Sequence, residues 1–435
     1  MATPLSDLQV NPSDKDIFII GGGIVGTALA YYLNESSSEN RIVVLEKSLG
    51  PIIGSTGYAP GLVGQLNESA VETTLAKDSV REYVPIPDAF NRVGCLELAT
   101  TESGVELLKK RCHLAHVSDL PAEIITAERA ASLAPDFVKT EMVKSGLHFP
   151  SDGTANPRAI TTFFRGAAVA KGAIFVEANV KGFEMDDDSI KVISTTDGPI
   201  NAQSNRVILT AGVWTQYLLK DLSSQKPITK SPIPIIPIAH PYTFTHPRPI
   251  REGPPYPFVR WPEQHVYARD HGTRDGLGSY AHTTLPMSQG FNSAVGAWPA
   301  SFENVLADAA ETCLKNGGKF LTKGGSADEN TSAAQKNPYN GIFAVTPDNL
   351  PMAGKVQDTT NLWLCAAVWI THAAGTAKLL TREILRGQGE QRSAEDEVLL
   401  KALDPNRFLG MDVEDLTRKA LGRYNDIYNS QPLEK

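Results

Sequence analysis

The sequence predicts an α/β protein of mixed α+β character, in which a parallel sheet flanked by helices carries an inserted antiparallel-sheet domain. Three observations predict it. Residues 16–48 read as one βαβ unit, two later apolar runs also end in glycine or lead into a small-residue helix, and stretches of a different character, 85–150 and 225–335, lie between them. Strands that alternate with helices pair in parallel, because the crossover returns the chain to the same end of the sheet.

The first unit begins with Ile17-Phe18-Ile19-Ile20, an apolar run suited to a strand buried on both faces. A glycine cluster follows, then a helix from Ile24 to Leu33 and a second strand, Ile42-Val43-Val44-Leu45. Arg206-Val207-Ile208-Leu209-Thr210 is the next such run and ends in Ala211-Gly212. Leu362-Trp363-Leu364-Cys365 is the third, and it leads through Thr371-His372 into the small-residue helix. The interleaved stretches include a proline-rich run from Pro227 to Pro262, expected in loops and edge strands because proline cannot donate to a central ladder. Alternation from Phe258 to Arg269 suggests antiparallel sheet. The resulting division assigns 1–84, 151–224 and 336–390 to the first domain and 85–150 and 225–335 to the inserted domain. Residues 391–435 form a charged helical tail, read as a covering element.

Composition excludes several classes. A chain of 435 residues, 41% hydrophobic and 21% charged, buries enough apolar surface for two or three packed units and is not disordered. A net charge of -8 leaves no long-range positive field for nucleic acid. Cys95, Cys112, Cys313 and Cys365 have no C-x-x-C spacing, which points to a reducing compartment. No apolar run is long enough to span a bilayer, the first sixteen residues lack an apolar signal core, and Pro-Leu-Glu-Lys ends the chain. A cytoplasmic protein without membrane partners is the expectation.

Gly21, Gly23 and Gly26 form G-x-G-x-x-G between the first strand and its helix. Gly21 permits the tight turn, Gly23 lets backbone approach a pyrophosphate, and Gly26 lets the helix pack against the sheet. The start of that helix, at Ile24, supplies N–H donors and positive potential. Glu46 lies twenty residues beyond Gly26 at the end of the second strand, where a carboxylate can accept hydrogen bonds from ribose hydroxyls. A Rossmann-like site for an adenine dinucleotide is predicted. The acid at position 46 disfavours a 2′-phosphate, leaving NAD or FAD.

The run Gly54-Ser55-Thr56-Gly57-Tyr58-Ala59-Pro60-Gly61-Leu62 resembles the flavin-contacting segment of the D-amino-acid-oxidase-like superfamily, and in particular of dimethylglycine oxidase and the dimethylglycine and sarcosine dehydrogenases. The resemblance continues through Pro-Ser-Asp-Gly-Thr-Ala at 150–155 and Pro-Ile-Ala-His-Pro-Tyr at 237–242. It takes in His271-Gly272, Gly278-Ser279-Tyr280-Ala281-His282, Asn340-Gly341-Ile342-Phe343 with Thr346-Pro347-Asp348, and Ala367-Val368-Trp369-Ile370-Thr371-His372 with Ala374-Gly375. It implies FAD, a substrate domain over the flavin, and oxidation of a secondary or tertiary N-methyl amine or amino acid such as dimethylglycine or sarcosine. It also implies flavin contacts at Lys47, Ser55, Thr56, Tyr58, Leu62, Val180, Gly212, Trp369, Thr371 and His372, in addition to the glycine turn and Glu46. In two respects the chain departs from this pattern. Tyr58 stands where the relatives carry a flavin-linking histidine, so a noncovalent FAD is expected, a tyrosyl ether being chemically possible. The chain also stops near 435, where larger relatives continue into a folate-binding region, so a one-carbon fragment would leave as free aldehyde.

An alkyl amine with a pKa of about 10 is protonated at neutral pH, and removing that proton at pH 7 costs about 4 kcal/mol. A neutral acceptor would help. His240 is the candidate, since imidazole titrates near this pH, and the resemblance aligns it with a catalytic histidine. Strand alternation places His265, Tyr267 and Arg269 on one face and Val266 and Ala268 on the other. Tyr267 aligns with the family's active-site tyrosine, and Arg269 could hold a substrate carboxylate by a bidentate contact. Hydride would pass to flavin N5, leaving an iminium that water hydrolyses, with O2 or another acceptor reoxidising the flavin.

Structural roles compete at each position: a loop histidine at 240, a core-edge tyrosine at 267, a solvated strand arginine at 269 and a buried strand-to-helix passage at 369–372. Two further functions stay open, oxidation of a larger amine in specialised metabolite biosynthesis and flavin binding without turnover. Cys112, His113 and His116 lack a fourth metal ligand at suitable spacing, so no metal is expected. Asp186-Asp187-Asp188 reads as a hairpin turn.

Overall fold

The computed structural model describes residues 16–37, 39–287, 301–315, 338–387 and 389–427. The strand Asp16–Ile20 is buried along its whole length and pairs in parallel with both Arg41–Glu46 and Arg206–Leu209, Ile19 lying opposite Val44 and Ile208. Ile174–Glu177 extends one side in parallel. Leu362–Ala366 extends the other in parallel, and Met352–Lys355 closes that edge antiparallel. The three strand runs read from the sequence are thus neighbours in one sheet.

Alternation divides the side chains of this sheet between two cores. Ile17, Ile19, Ile42, Val44 and Ile208 pack against the helices Ile24–Ser36, Pro157–Ala170 and Ala373–Leu385. Phe18, Ile20, Val43, Leu45, Val207 and Leu209 face a three-stranded antiparallel sheet through Phe183, Ile190, Ile193 and Ile200. In that small sheet Val180–Asp186 and Ser189–Thr195 form a hairpin turning at Asp187, whose φ of 52° is the left-handed conformation aspartate tolerates.

The inserted domain is built on an eight-stranded sheet in the order Tyr339–Val345, Ile236–Phe244, Asp275–Ser279, Val266–Asp270, Phe258–Trp261, Cys95–Ala99, Ser145–Phe149 and Glu123–Ile125. Its pairs are antiparallel except at the seam between Phe258–Trp261 and Cys95–Ala99, where Val259 lies opposite Leu96 in parallel. The two inserted stretches meet at this seam, and no hairpin dictates the direction of strands so distant in sequence. Tyr339–Val345 also belongs to this sheet, although the sequence places it with the nucleotide-binding segment.

Two other sequence expectations are corrected. Pro237 and Pro241 lie in an internal strand, Ile236–Phe244, which pairs with Tyr339–Val345 on one side and with Asp275–Ser279 on the other. The ladder to Asp275–Ser279 begins only at Tyr242. Before it, Ala239 N donates to Leu285 O, so by alternation the nitrogens of Pro237 and Pro241 also point to this interrupted side, where no ladder donor is required. The run from Phe258 to Arg269 is not one strand. It breaks at the turn Pro262–Gln264, and His265, at φ 56°, stands in that turn rather than beside Tyr267 and Arg269.

The tail is more than a cover. Ser393 and Asp412 cap the helices Ala394–Leu403 and Val413–Asn425 through the N–H groups of Asp396 and Asp415. Leu399, Leu400 and Leu403 enter the first core and Leu416 the second, while Ala420 and Tyr424 pack under the inserted sheet. Among the described residues, no helix is long and apolar enough to cross a membrane.

Candidate active site

The glycine turn opens the site. Gly21 sits at φ 110°, a conformation open to glycine, and a side chain at Gly26 would collide with the Gly21 carbonyl, so the helix Ile24–Ser36 lies hard against the sheet. Gly23 caps that helix with no side-chain hydrogen bond. Some of its donors are already engaged: Gly22 N donates to Glu46 Oε2 at 2.6 Å and Ile24 N to Thr56 Oγ1 at 3.3 Å. The Glu46 carboxylate, also accepting from Ser48 N at 3.1 Å, is therefore anchored at the strand end.

A cavity of about 770 Å³ runs from this turn into the inserted sheet. Of the residues the sequence singled out, Gly21, Gly23, Ile24, Glu46, Lys47, Ser55, Thr56, Tyr58, Leu62, Val180, Gly212, Trp369, Thr371, His240 and Tyr267 line it. Residues scattered from 21 to 371 meet because parallel strands deliver their carboxyl ends to one edge, the place where open α/β sheets bind ligands. The cavity suits an elongated dinucleotide. It starts at the glycine turn and passes a carboxylate, and the buried Ser55 hydroxyl on its wall has no hydrogen-bond partner among the described residues. Ala367 on the same wall holds a φ of 55°, strain that packing sustains at functional sites.

At the far end, His240 and Tyr267 meet. Tyr267 Oη lies 2.6 Å from His240 Nε2, and Tyr424 Oη lies 2.6 Å from His240 Nδ1. His240 is 1% exposed, and burial, followed by the nearby His282, lowers its pKa well below the usual 6.5, so the ring is neutral. Tyr280 and Phe343 pack on the imidazole at 4.6 Å and face the same cavity. Tyr58 packs on Tyr339 at 5.4 Å.

Three sequence-selected residues lie elsewhere. Gly26 contributes packing rather than cavity wall. His372 is 2% exposed behind Trp369, their rings 6.5 Å apart, and its Nε2 lacks a partner among the described residues. Burial lowers its pKa to about 4. Arg269 donates to the carbonyls of Pro60 and Ala155 and borders a second cavity of about 400 Å³. Its guanidinium thus clamps two chain segments and does not reach the larger cavity, which corrects its expected contact with a substrate carboxylate there.

Arg260, not singled out from the sequence, borders the larger cavity beside Tyr267. It lies directly opposite Tyr267 in the antiparallel pair, so both project from one face, and it lines the larger cavity. Glu97 accepts from Arg111 at 2.6 and 2.8 Å and lies 3.5 Å from Arg260. Burial raises the Glu97 carboxyl, but Arg111 and Arg260 outweigh it and hold the pKa below its ordinary value. The signal for Arg260 was available in alternation across a hairpin, but the turn at 262–264 had to be recognised first. Cys112 and His116, meanwhile, both turn to the Ala122 carbonyl.

Comparison with known proteins agrees with this geometry. Residues 16–383 match the family described as FAD dependent oxidoreductase, DAO. The chain is 28% identical over 407 residues to mitochondrial dimethylglycine dehydrogenase of Rattus norvegicus, covering 90% of this chain and 44% of that protein. It is 25% identical over 437 residues to 4-methylaminobutanoate oxidase (formaldehyde-forming) of Paenarthrobacter nicotinovorans, covering 95% and 48%. The chain spans about half the length of these curated relatives. The crystal structure of L-proline dehydrogenase from P. horikoshii superposes with a TM-score of 0.75 at 22% identity, covering 92% of this chain and 98% of that one, a likeness of fold. The matched region holds the glycine turn, Glu46, the 54–62 segment and the His240–Tyr267 pair, and the chain belongs to the DAO family of FAD dependent oxidoreductases.

Proposed function

We propose that this protein oxidises a small secondary or tertiary amine bearing a carboxylate, an N-methyl amino acid of the dimethylglycine or sarcosine type. The observation that carries this reading is a neutral imidazole, His240, hydrogen-bonded to Tyr267 Oη on the wall of the cavity that begins at the dinucleotide turn. When bound, FAD supplies the acceptor for hydride from the carbon next to nitrogen. Gly21, Gly23, Glu46, Ser55 and Thr56 would hold it, with Tyr58 beside it as a noncovalent neighbour. Tyr267 steers the amine and, with His240 behind it, takes the ammonium proton, leaving the lone pair that assists C–H cleavage. Arg260 pairs with the substrate carboxylate. Tyr267, Tyr280 and Phe343 exclude water and present ring faces to N-methyl groups. The iminium is then hydrolysed.

A longer N-methyl amino acid is the second reading, favoured by the similarity to 4-methylaminobutanoate oxidase over 95% of this chain. An anaerobic absorbance titration with dimethylglycine, sarcosine, 4-methylaminobutanoate and bulkier N-alkyl amines decides between them. Bleaching of the flavin band at about 450 nm by the first two supports the proposal; bleaching by longer or bulkier amines alone replaces it, and no bleaching by any amine overturns amine oxidation. Acid precipitation should leave the flavin in the supernatant; yellow colour retained on the pellet would mean a covalent link at a residue such as Tyr58.

A further inference from the structure

We propose that Tyr267, His240, Tyr424 and His282 form a proton relay that carries the substrate's ammonium proton from the buried cavity to the protein surface. The inference rests on the proposed amine oxidation for the origin of the proton, and on the hydrogen-bond chain itself for its route and direction.

Four contacts run in series. Tyr267 Oη lies 2.6 Å from His240 Nε2, His240 Nδ1 lies 2.6 Å from Tyr424 Oη, Tyr424 Oη lies 2.8 Å from His282 Nε2, and His282 Nδ1 lies 2.8 Å from the Thr283 carbonyl oxygen. The last contact fixes the polarity of all the others. A carbonyl only accepts, so His282 Nδ1 carries a proton, and in the neutral ring Nε2 then offers a lone pair. Tyr424 therefore donates to His282. Its single proton is thereby used, so its oxygen accepts from His240 Nδ1–H. His240 Nε2 is left as an acceptor and takes the Tyr267 O–H. Every donor meets an acceptor, and each points outward from the cavity. The Ala239 carbonyl also lies near Tyr424 Oη but is more distant, at 3.3 Å.

Burial changes along the series in the direction a relay needs. Tyr267, His240 and Tyr424 are 2%, 1% and 0% exposed, while His282 is half-buried among the described residues. Burial lowers the pKa of His240 well below the ordinary 6.5 and also lowers that of the less buried His282, so imidazolium is costly at 240. A histidine that cannot keep a proton can still pass one, gaining it on Nε2 as it yields another from Nδ1, provided a second acceptor is present. Tyr424 is that acceptor. In one passage the substrate nitrogen gives its proton to Tyr267, each group hands on the proton it held, and His282 ends with one more, which it loses to water. No electrons move and no other bond changes. Asn425, next in sequence to Tyr424, donates at 2.8 Å to the carbonyls of Tyr280 and His282 and holds the exit segment against the helix. Neither Tyr424 nor His282 lines the cavity; they act through His240.

The test uses the FAD-loaded full chain and two variants, Tyr424→Phe, which keeps the buried ring, and His282→Ala. Anaerobic stopped-flow with an amine that bleaches the wild type, and with a pH-indicating dye, reads flavin reduction and proton release together. In the wild type the two should coincide. Both variants should reduce roughly tenfold or more slowly at saturating amine, with the half-saturating concentration unchanged and proton release delayed, and added imidazole should restore part of the rate in His282→Ala. Wild-type rates for both signals in both variants overturn the relay, as does a slow rate traceable entirely to weakened amine binding. A second measurement needs no substrate. Histidine 15N shifts of the resting protein should show His240 and His282 as Nδ1–H tautomers, with the His240 signals displaced in Tyr424→Phe; Nε2–H at either ring overturns the stated direction. If no amine bleaches the wild type, the functional reading fails while the tautomer measurement still decides the hydrogen-bond polarity.

Discussion

At the scale of single residues, the site depends on a histidine whose surroundings set its chemistry. Residue type suggested for His240 an imidazole titrating near neutrality, but enclosure by Tyr267, Tyr280, Phe343 and Tyr424 removes the water that would stabilise imidazolium. Its own titration should therefore leave no inflection near pH 6.5 in the flavin-reduction rate; a limb at that pH, abolished by His240→Gln, would contradict this. His240→Ala and Tyr267→Phe should each slow reduction on the order of a hundredfold, the usual range for losing an acid–base group, while the flavin stays bound. Equal rates would show that neither takes part. Arg260→Met should raise the half-saturating amino-acid concentration about tenfold or more, as expected for a lost charge-assisted hydrogen bond. The same change at Arg269 should lower the melting temperature with little effect on that concentration, because Arg269 holds the carbonyls of Pro60 and Ala155. The reverse pattern would restore Arg269 as the carboxylate partner.

At the scale of elements, the helix Ala70–Tyr83 begins with Ser69, whose hydroxyl accepts from Glu72 N at 3.1 Å and donates to the Glu72 carboxylate at 3.0 Å. This is half of a capping box turned inward, since Glu72 is 5% exposed and lines the cavity. Burial, reinforced by Glu68, raises its pKa to about 8. The folded chain thus holds this proton more tightly than the unfolded chain. The associated stability is complete below about pH 4.5, the ordinary value, and is lost as pH rises from there through about 8. Glu72→Gln mimics the protonated form. It should match the wild type near pH 5 and exceed it at pH 7 by on the order of 2 to 3 kcal/mol, from about 1.4 kcal/mol per pH unit, read as a melting temperature measured against pH. A difference independent of pH would place the charged form in the fold. The helix Val413–Asn425 makes a related point: its amphipathic pattern predicts a covering element, but one buried position, Tyr424, reaches His240.

At the scale of the whole molecule, the two cores on either face of the parallel sheet and the inserted sheet above its carboxyl edge hold three histidines as neutral rings: His240 and His372, which are buried, and the half-buried His271. An unfolded chain would protonate all three as pH falls below about 6.5. The folded pKa values are depressed, that of His372 to about 4, so stability is lost with acidification from 6.5 downward. The slope should approach about 1.4 kcal/mol per pH unit for each ring, giving a marked fall in melting temperature between pH 6.5 and 5. A flat profile across that interval would mean that these rings accept protons inside the fold.

Local pattern determined a large part of this protein. The strand at 17–20, the glycine turn and Glu46 were legible because a βαβ unit satisfies its own backbone geometry within about thirty residues, and phosphate binding there needs glycine at set offsets. The segment at 54–62 and the residues up to Thr371 were singled out through resemblance, and the structure places them on the wall of one cavity. Only the tertiary structure decided what depends on contacts between distant segments. His240 meets Tyr424 across 184 positions, so no periodicity in either neighbourhood records the contact. Arg260 faces Tyr267 because a turn at 262–264 folds its strand back on the next, and Pro237 and Pro241 entered an internal strand because its second ladder begins after them. Burial, which keeps His240 neutral and holds a proton on Glu72, is a property of the packed whole: the dielectric around a side chain is set by every element that covers it.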